Sequence, residues 1–248
     1  MILPRILPFL AALFFLTAAP ACGPSLREQS RIDYDNQVNA IKTVGMVSPD
    51  MLIYELSAGG VREQMDEWCD AASQNFSDVV KKELKARSVH VKSVTLDENA
   101  VDDEEIKYLF RAITDSLQWN KTYRKLSLCE DERICKDFAL GPVDRLFNRS
   151  KVDALLLVLG YNEMETSART KARKRSRVLS KLSAFGPVRF APLRGPGTYV
   201  SMALVDRQGS VLWYGAAASN RVYDLRDPVK VGEVAKRILG RMWLKEGE

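Results

Sequence analysis

The densest chemistry in the sequence is cationic. Between Asn162 and Gly197 stand Arg169, Lys171, Arg173, Lys174, Arg175, Arg177, Lys181, Arg189 and Arg194, with no acid after Glu165. From Tyr161 to Gly197 these nine cations outweigh Glu163 and Glu165 by +7. The chain as a whole carries +5, so the remainder sums to −2. The protein is therefore a near-neutral body with a basic arm. Arg169, Lys171, Arg173, Lys174, Arg175, Arg177 and Lys181 are the candidate anion-binding residues. The bland reading of such a run is a solvated loop. Nucleic acid is the usual partner of basic runs, but no aromatics interleave here for base stacking. Phe185 and Phe190, set among Pro187 and Pro192, could instead dock a partner or enter an interface.

The remaining reactive side chains are sparse. Asp97, Asp102, Asp103 and Glu104 could supply a carboxylate pair for acid–base work on a glycan. Their place at the start of an apolar-periodic segment reads more simply as helix capping. The same cluster lacks the loop grammar of an EF-hand. His90 is the only histidine and sits in an alternating segment. No GxSxG, glycine-rich phosphate loop or HExxH occurs. One His and no CxxC do not make a four-ligand zinc site. The expectation is a non-enzyme with no cofactor and no metal.

Four cysteines remain, and they speak to compartment. Met1 to Ala21 has a positive Arg5, an apolar stretch from Ile6 to Ala19, and the small run Ala19-Pro20-Ala21 before Cys22. This reads as an export signal, shorter in its apolar part than the ~20 residues needed to span a bilayer. It resembles a bacterial lipoprotein signal, with Cys22 as the acylated residue, although Ala19 stands where Leu is usual. Acyl chains on Cys22 would anchor the protein stably. The resemblance also implies the outer membrane, because Gly23 stands where enteric bacterial lipoproteins kept in the inner membrane have Asp. In an oxidising compartment Cys129 and Cys135, bracketing Glu130 to Ile134, are a candidate disulfide. Cys69 lies on an apolar helical face and is expected to be a buried free thiol.

These groups need a scaffold, and the pattern supplies one. Val152 to Gly160 is a near-continuous apolar run, as in a strand buried on both faces. Lys42 to Val47 reads as the first strand. Val61, Met65, Trp68, Cys69, Ala72, Phe76, Val79, Val80 and Leu84 recur at helical spacing. Val89 to Val94 alternates, and Ile106, Leu109, Phe110, Ile113 and Leu117 mark another helix. Thr198 to Asp206 and Ser210 to Ala217 form a hairpin around Gly209. Asp227-Pro228 opens a last helix striped by Val231, Val234, Ala235, Ile238, Leu239 and Trp243. The fold class is α/β, a mixed β-sheet packed with helices as a sandwich, with a long basic insertion between two sheet strands. The expected division is a signal at 1–21, a lipidated tether at 22–40, and a single α/β domain at 41–248 with the insertion at 162–197.

Cys22, the Lys42–Val47 strand with its following helix, the Lys151–Gly160 strand and the Tyr199–Trp213 hairpin together resemble a known group. It is the superfamily of bacterial envelope lipoproteins that includes the curli secretion protein CsgG, the penicillin-binding-protein activator LpoB and the N-terminal domain of TolB. The resemblance implies a non-enzymatic protein that binds other envelope proteins and can form a homo-oligomer. CsgG uses insertions to build a membrane barrel, but Arg169 to Arg177 cannot offer the alternating lipid-facing positions of a barrel strand. The expected function is an assembly or regulatory module on the periplasmic side of the outer membrane, bound to the membrane through Cys22. The alternative is a lipoprotein whose basic arm binds an anionic envelope lipid or glycan. Nucleic acid is not an expected partner.

Overall fold

An apolar strand needs cover on both faces, and the chain is arranged to give it. The computed structural model describes residues 25–31, 33–96, 101–122, 139–141, 143–183, 191, 193–219 and 223–242. The elements of the first half are β1 (Ser25–Ser30), α1 (Tyr34–Val38), β2 (Thr43–Val47), β3 (Asp50–Leu56), β4 (Arg62–Gln64), α2 (Asp66–Ala86) and β5 (His90–Val94). There follow α3 (Val101–Thr122), α4 (Asp144–Ser150), β6 (Ala154–Glu165), α5 (Ser167–Ser183), β7 (Thr198–Val205), β8 (Val211–Ser219) and α6 (Pro228–Leu239).

The sheet runs β1-β8-β7-β6-β2-β5. Its β2, β5 and β6 are mutually parallel, and β7, β8 and β1 add on antiparallel. β6 is long enough to take two neighbours on one edge. Ala154 to Leu156 pair with β2, and Leu159 to Glu165 pair with β3. Pro49, which has no N–H to give a ladder, falls between the two. Asp153 explains the one charge inside the apolar run: its Oδ2 accepts from the N–H groups of Lys42 (2.9 Å) and Thr43 (2.8 Å). Successive β6 side chains face opposite layers. Leu156 and Val158 join α2 and α6 around Phe76, Leu84, Trp213 and Ile238. Leu155, Leu157 and Leu159 join α3 and α4 around Phe110, Phe147 and Tyr214. The mixed α/β sandwich is thus three layers deep.

Two turn-and-cap features fall where the residue types placed them. Gly209 has φ +78°, and a Cβ there would lie 2.3 Å from the Gly141 carbonyl oxygen. Asp206 Oδ1 accepts from Gln208 N (3.0 Å) and Ser210 N (2.9 Å) across the same turn. At α6, Asp227 Oδ1 accepts from Val229 N at 2.9 Å, with Pro228 in the first helical position.

Three expectations are corrected. Residues 25–30, expected within a tether, are an edge strand whose register runs from Ser25↔Ala218 to Ser30↔Trp213. Tyr34 and Val38 of α1 are buried in the core. The ordered body therefore starts well before residue 41. Val61 is not helical: it is 69% exposed beside β4, and α2 starts at Asp66. Finally, Asn162 to Glu165 belong to β6 rather than to an insertion. Asn162 is buried, donating to Tyr223 O (2.8 Å) and accepting from Thr198 Oγ1 (3.0 Å). Cys22, Cys129, Cys135, Phe185, Arg189, Phe190 and Trp243 lie outside the described residues.

Acid should loosen this fold in a defined window. Hydrogen bonds from Arg31 hold Asp33 below the ordinary Asp value, and hydrogen bonds from Arg226 do the same for Asp224. Depressed carboxylates contribute stability that is fully present above about pH 4 and lost as pH falls through their lower folded values. Denaturant unfolding from pH 7 down to pH 2 should show stability falling below about pH 4. Asp224→Asn should flatten part of that fall, and an unchanged slope would show that the Asp224–Arg226 pair contributes none of it.

Candidate functional site

The cationic segment is a helix, and its local sequence explains why. Ala, Arg, Lys and Leu are good helix formers, and Thr166 caps the start, its Oγ1 accepting from Arg169 N at 3.2 Å. Thr166 N in turn donates to Leu56 O, which ties the first turn to the end of β3. At a rise of ~1.5 Å per residue, α5 is about 25 Å long.

Two of the seven candidate anion binders face inward. Arg169 is buried over the β3–β4 turn, donating from Nη1 to Ala58 O at 3.3 Å; its Nε has no partner among the described residues. Arg173 grips Glu165 through Nε (2.7 Å to Oε1) and Nη2 (2.9 Å to Oε2). The Glu165 side chain is only 3% exposed. Its hydrogen bond raises the Arg173 pKa further above the ordinary Arg value. Glu163 is likewise occupied, accepting from Tyr161 Oη (2.6 Å) and paired with Arg62 Nε (3.0 Å). Both acids of the segment are thus satisfied inside the fold.

Lys171, Lys174, Arg175, Arg177 and Lys181 are exposed, and none pairs with a described carboxylate. Interleaved with them are Val178 (57% exposed), Leu179 (53%) and Leu182 (70%). At 100° per residue Val178 and Leu182 fall between Lys174 and Lys181 on one side and Arg175 on the other. These apolar positions were legible in the sequence as a helical i, i+4 pair, but the charge around them hid the pattern. The chain returns along the inner side of the helix. Leu193 N donates to Ser176 Oγ at 3.0 Å, and Gly195 lies against Arg173. Val178, Leu179 and Leu182 lie beyond these contacts and stay exposed.

The other candidate groups stay apart from this surface. Cys69 is a half-buried free thiol whose Sγ accepts from Ile53 N at 3.3 Å. Burial pushes its pKa up, away from the reactive thiolate. His90 is exposed at the start of the edge strand β5. No group of three or more His, Cys, Asp and Glu able to hold a metal occurs among the described residues. A recess of about 240 Å³ lies between α3 and the sheet, lined by Leu52, Arg111, Thr114 and Tyr199. It is smaller than the ~300–1,000 Å³ of ordinary ligand pockets, and Arg111 is paired with Asp50 at 2.6 Å. Among the described residues no helix is long and apolar enough to cross a membrane.

No protein-family model matches the chain, and no curated protein matches it. Solved structures that overlay on it include two at 10% sequence identity. One is the PelC dodecamer from Paraburkholderia phytofirmans, with TM-score 0.36 over 89% of this chain and 98% of that chain. The other is a variant PelC dodecamer from the same organism, with TM-score 0.37 over 90% and 99%. At those scores nothing transfers from PelC to this protein.

Proposed function

We propose that the protein is a non-enzymatic lipoprotein of the outer membrane, facing the periplasm, which binds envelope proteins as an assembly or regulatory module. The observation that carries this reading is the position of β1. A lipid on Cys22 would stand three residues before Ser25, a reach of at most about 11 Å. The body would then be held close to the membrane surface. Further support comes from the signal-like residues 1–21 and the resemblance to the CsgG, LpoB and TolB group. Among the described residues β1 and β5 are the ends of the strand path, and their outer backbone groups could take a partner strand or a second copy.

Cys22→Ala, exported behind a signal whose cleavage does not depend on Cys22, should shift the protein from the membrane to the soluble fraction. The comparison is made after a wash in ~1 M salt, where the Debye length is about 3 Å and purely electrostatic contacts are lost. Crosslinking of the wild type should recover an envelope protein or a second copy. A Cys22→Ala protein that survives the wash on the membrane would end the lipid-anchor reading, and a wild type with no crosslinked partner would end the module reading.

A second reading is favoured by the five exposed cations of α5. In it the helix binds an anionic envelope lipid or polymer, and the sheet serves to present it.

A further inference from the structure

The geometry points to α5 as an interfacial helix that lies on an anionic lipid surface, at the same end of the molecule as the N-terminal attachment. This deepens the second reading above and rests on it. The face suits lipid for three reasons.

The first is its mixed character. Lys171, Lys174, Arg175, Arg177 and Lys181 surround the exposed Val178, Leu179 and Leu182. A soluble polyanion needs only the charge. A headgroup layer takes both, the apolar side chains at the acyl boundary and the long cations reaching up to phosphate.

The second is the absence of internal competition. Glu163 and Glu165 are spent on Arg62 and Arg173, so no carboxylate of the segment offsets the outer face. The rest of the chain is slightly negative, which concentrates attraction for anions on α5.

The third is placement. One row across the sheet joins Ser25, Ala218, Tyr199, Tyr161 and Leu52. The first residue of β1 is thus level with Tyr161, three strand spacings or about 14 Å away. β6 continues from that row in the same outward direction for four residues, about 13 Å, and hands over to α5 at Thr166. The chain preceding Ser25 and the basic helix therefore leave from one end of the sheet. A bilayer touching one meets the other without any rearrangement of the body.

The test uses residues 22–248 carrying Cys22→Ala, the chain left when the signal at 1–21 is removed, so that neither an acyl group nor the apolar signal contributes and the outcome is independent of whether Cys22 is lipidated. Co-sedimentation is measured with vesicles of phosphatidylcholine alone and of phosphatidylcholine with phosphatidylglycerol, at low and high salt. The expected result is binding to the anionic vesicles that weakens steeply with salt and is weak on the neutral ones. Replacing Lys171, Lys174, Arg175, Arg177 and Lys181 by Gln should weaken binding by about a hundredfold or more. Leu179→Ser with Leu182→Ser, which leaves every charge in place, should weaken it at least about tenfold. Absence of wild-type binding, or binding indifferent to salt, overturns the proposal without reference to any variant. Unchanged affinity of the Leu179/Leu182 variant, together with equal binding to heparin, would overturn it in favour of a soluble polyanion.

Discussion

Trp213→Ala should lower the unfolding free energy by about 3–5 kcal/mol, the range for removing a large buried aromatic. Trp213 is fully buried on β8, flanked by Leu204 on β7 and Ser30 on β1. Its ring occupies space that Gly215 leaves open. A Cβ on Gly215 would come within 2.5 Å of the ring and 2.8 Å of Ile238 on α6. The void left by alanine would be walled by paired strands on one side and a packed helix on the other. The strands are held by their ladder and the helix by its other packing contacts, so the void would close only in part and the loss should fall toward the upper end of the range. The indole Nε1 also donates to Glu28 Oε1 at 3.1 Å, a contact that helps seat β1. Against a total stability of about 5–15 kcal/mol, such a variant would be close to its threshold. Urea unfolding with an unchanged m-value is the measurement. A loss below about 1 kcal/mol would show that the ring is not part of the core.

Arg31→Met is expected to cost about 3 kcal/mol, because it strands a buried carboxylate. Arg31 Nη1 donates to Asp206 Oδ2 at 3.0 Å, and both side chains are 9% exposed. The pair joins the residue that follows β1 to the turn between β7 and β8. Asp206 also accepts two backbone N–H groups, so Asp206→Ala should cost at least as much. The double variant should cost less than the sum, with a coupling of about 1–3 kcal/mol in a double-mutant cycle. Strict additivity would show that the two groups do not interact across the turn.

Much of the sheet was readable because apolar burial leaves a period. The stripe of α6 reports one face that loses water, whereas Ala154 to Gly160 and Thr198 to Val205 report strands buried on both faces. What escaped was held by other forces. β1 is Ser-Leu-Arg-Glu-Gln-Ser, and its order comes from backbone bonds to β8 that no side-chain pattern announces. β4 is three exposed polar residues paired to β3, and Val61 merely fell in register with the helix that follows. The candidate site was half legible. Charge density marked α5, but composition alone could not tell Arg169 and Arg173 from their exposed neighbours. That distinction is made by Ala58 O and Glu165, which the fold brings to one side of the helix.

The pairing of β1 with β8 also sets an order of events. Ser25 Oγ bonds Ala218 O, partners 193 residues apart in sequence. In a chain that emerges amino end first, the first strand has no place to go until Val211 to Ser219 has followed it. Closing so long a loop is slow compared with local helix and hairpin formation. The nine-residue β8 consequently presents an unpaired edge from the time the β7–β8 hairpin forms until β1 docks on it. Pairing of β1 with β8 therefore waits on the hairpin, and a chain cut short before Val211 would leave β1 without its partner strand.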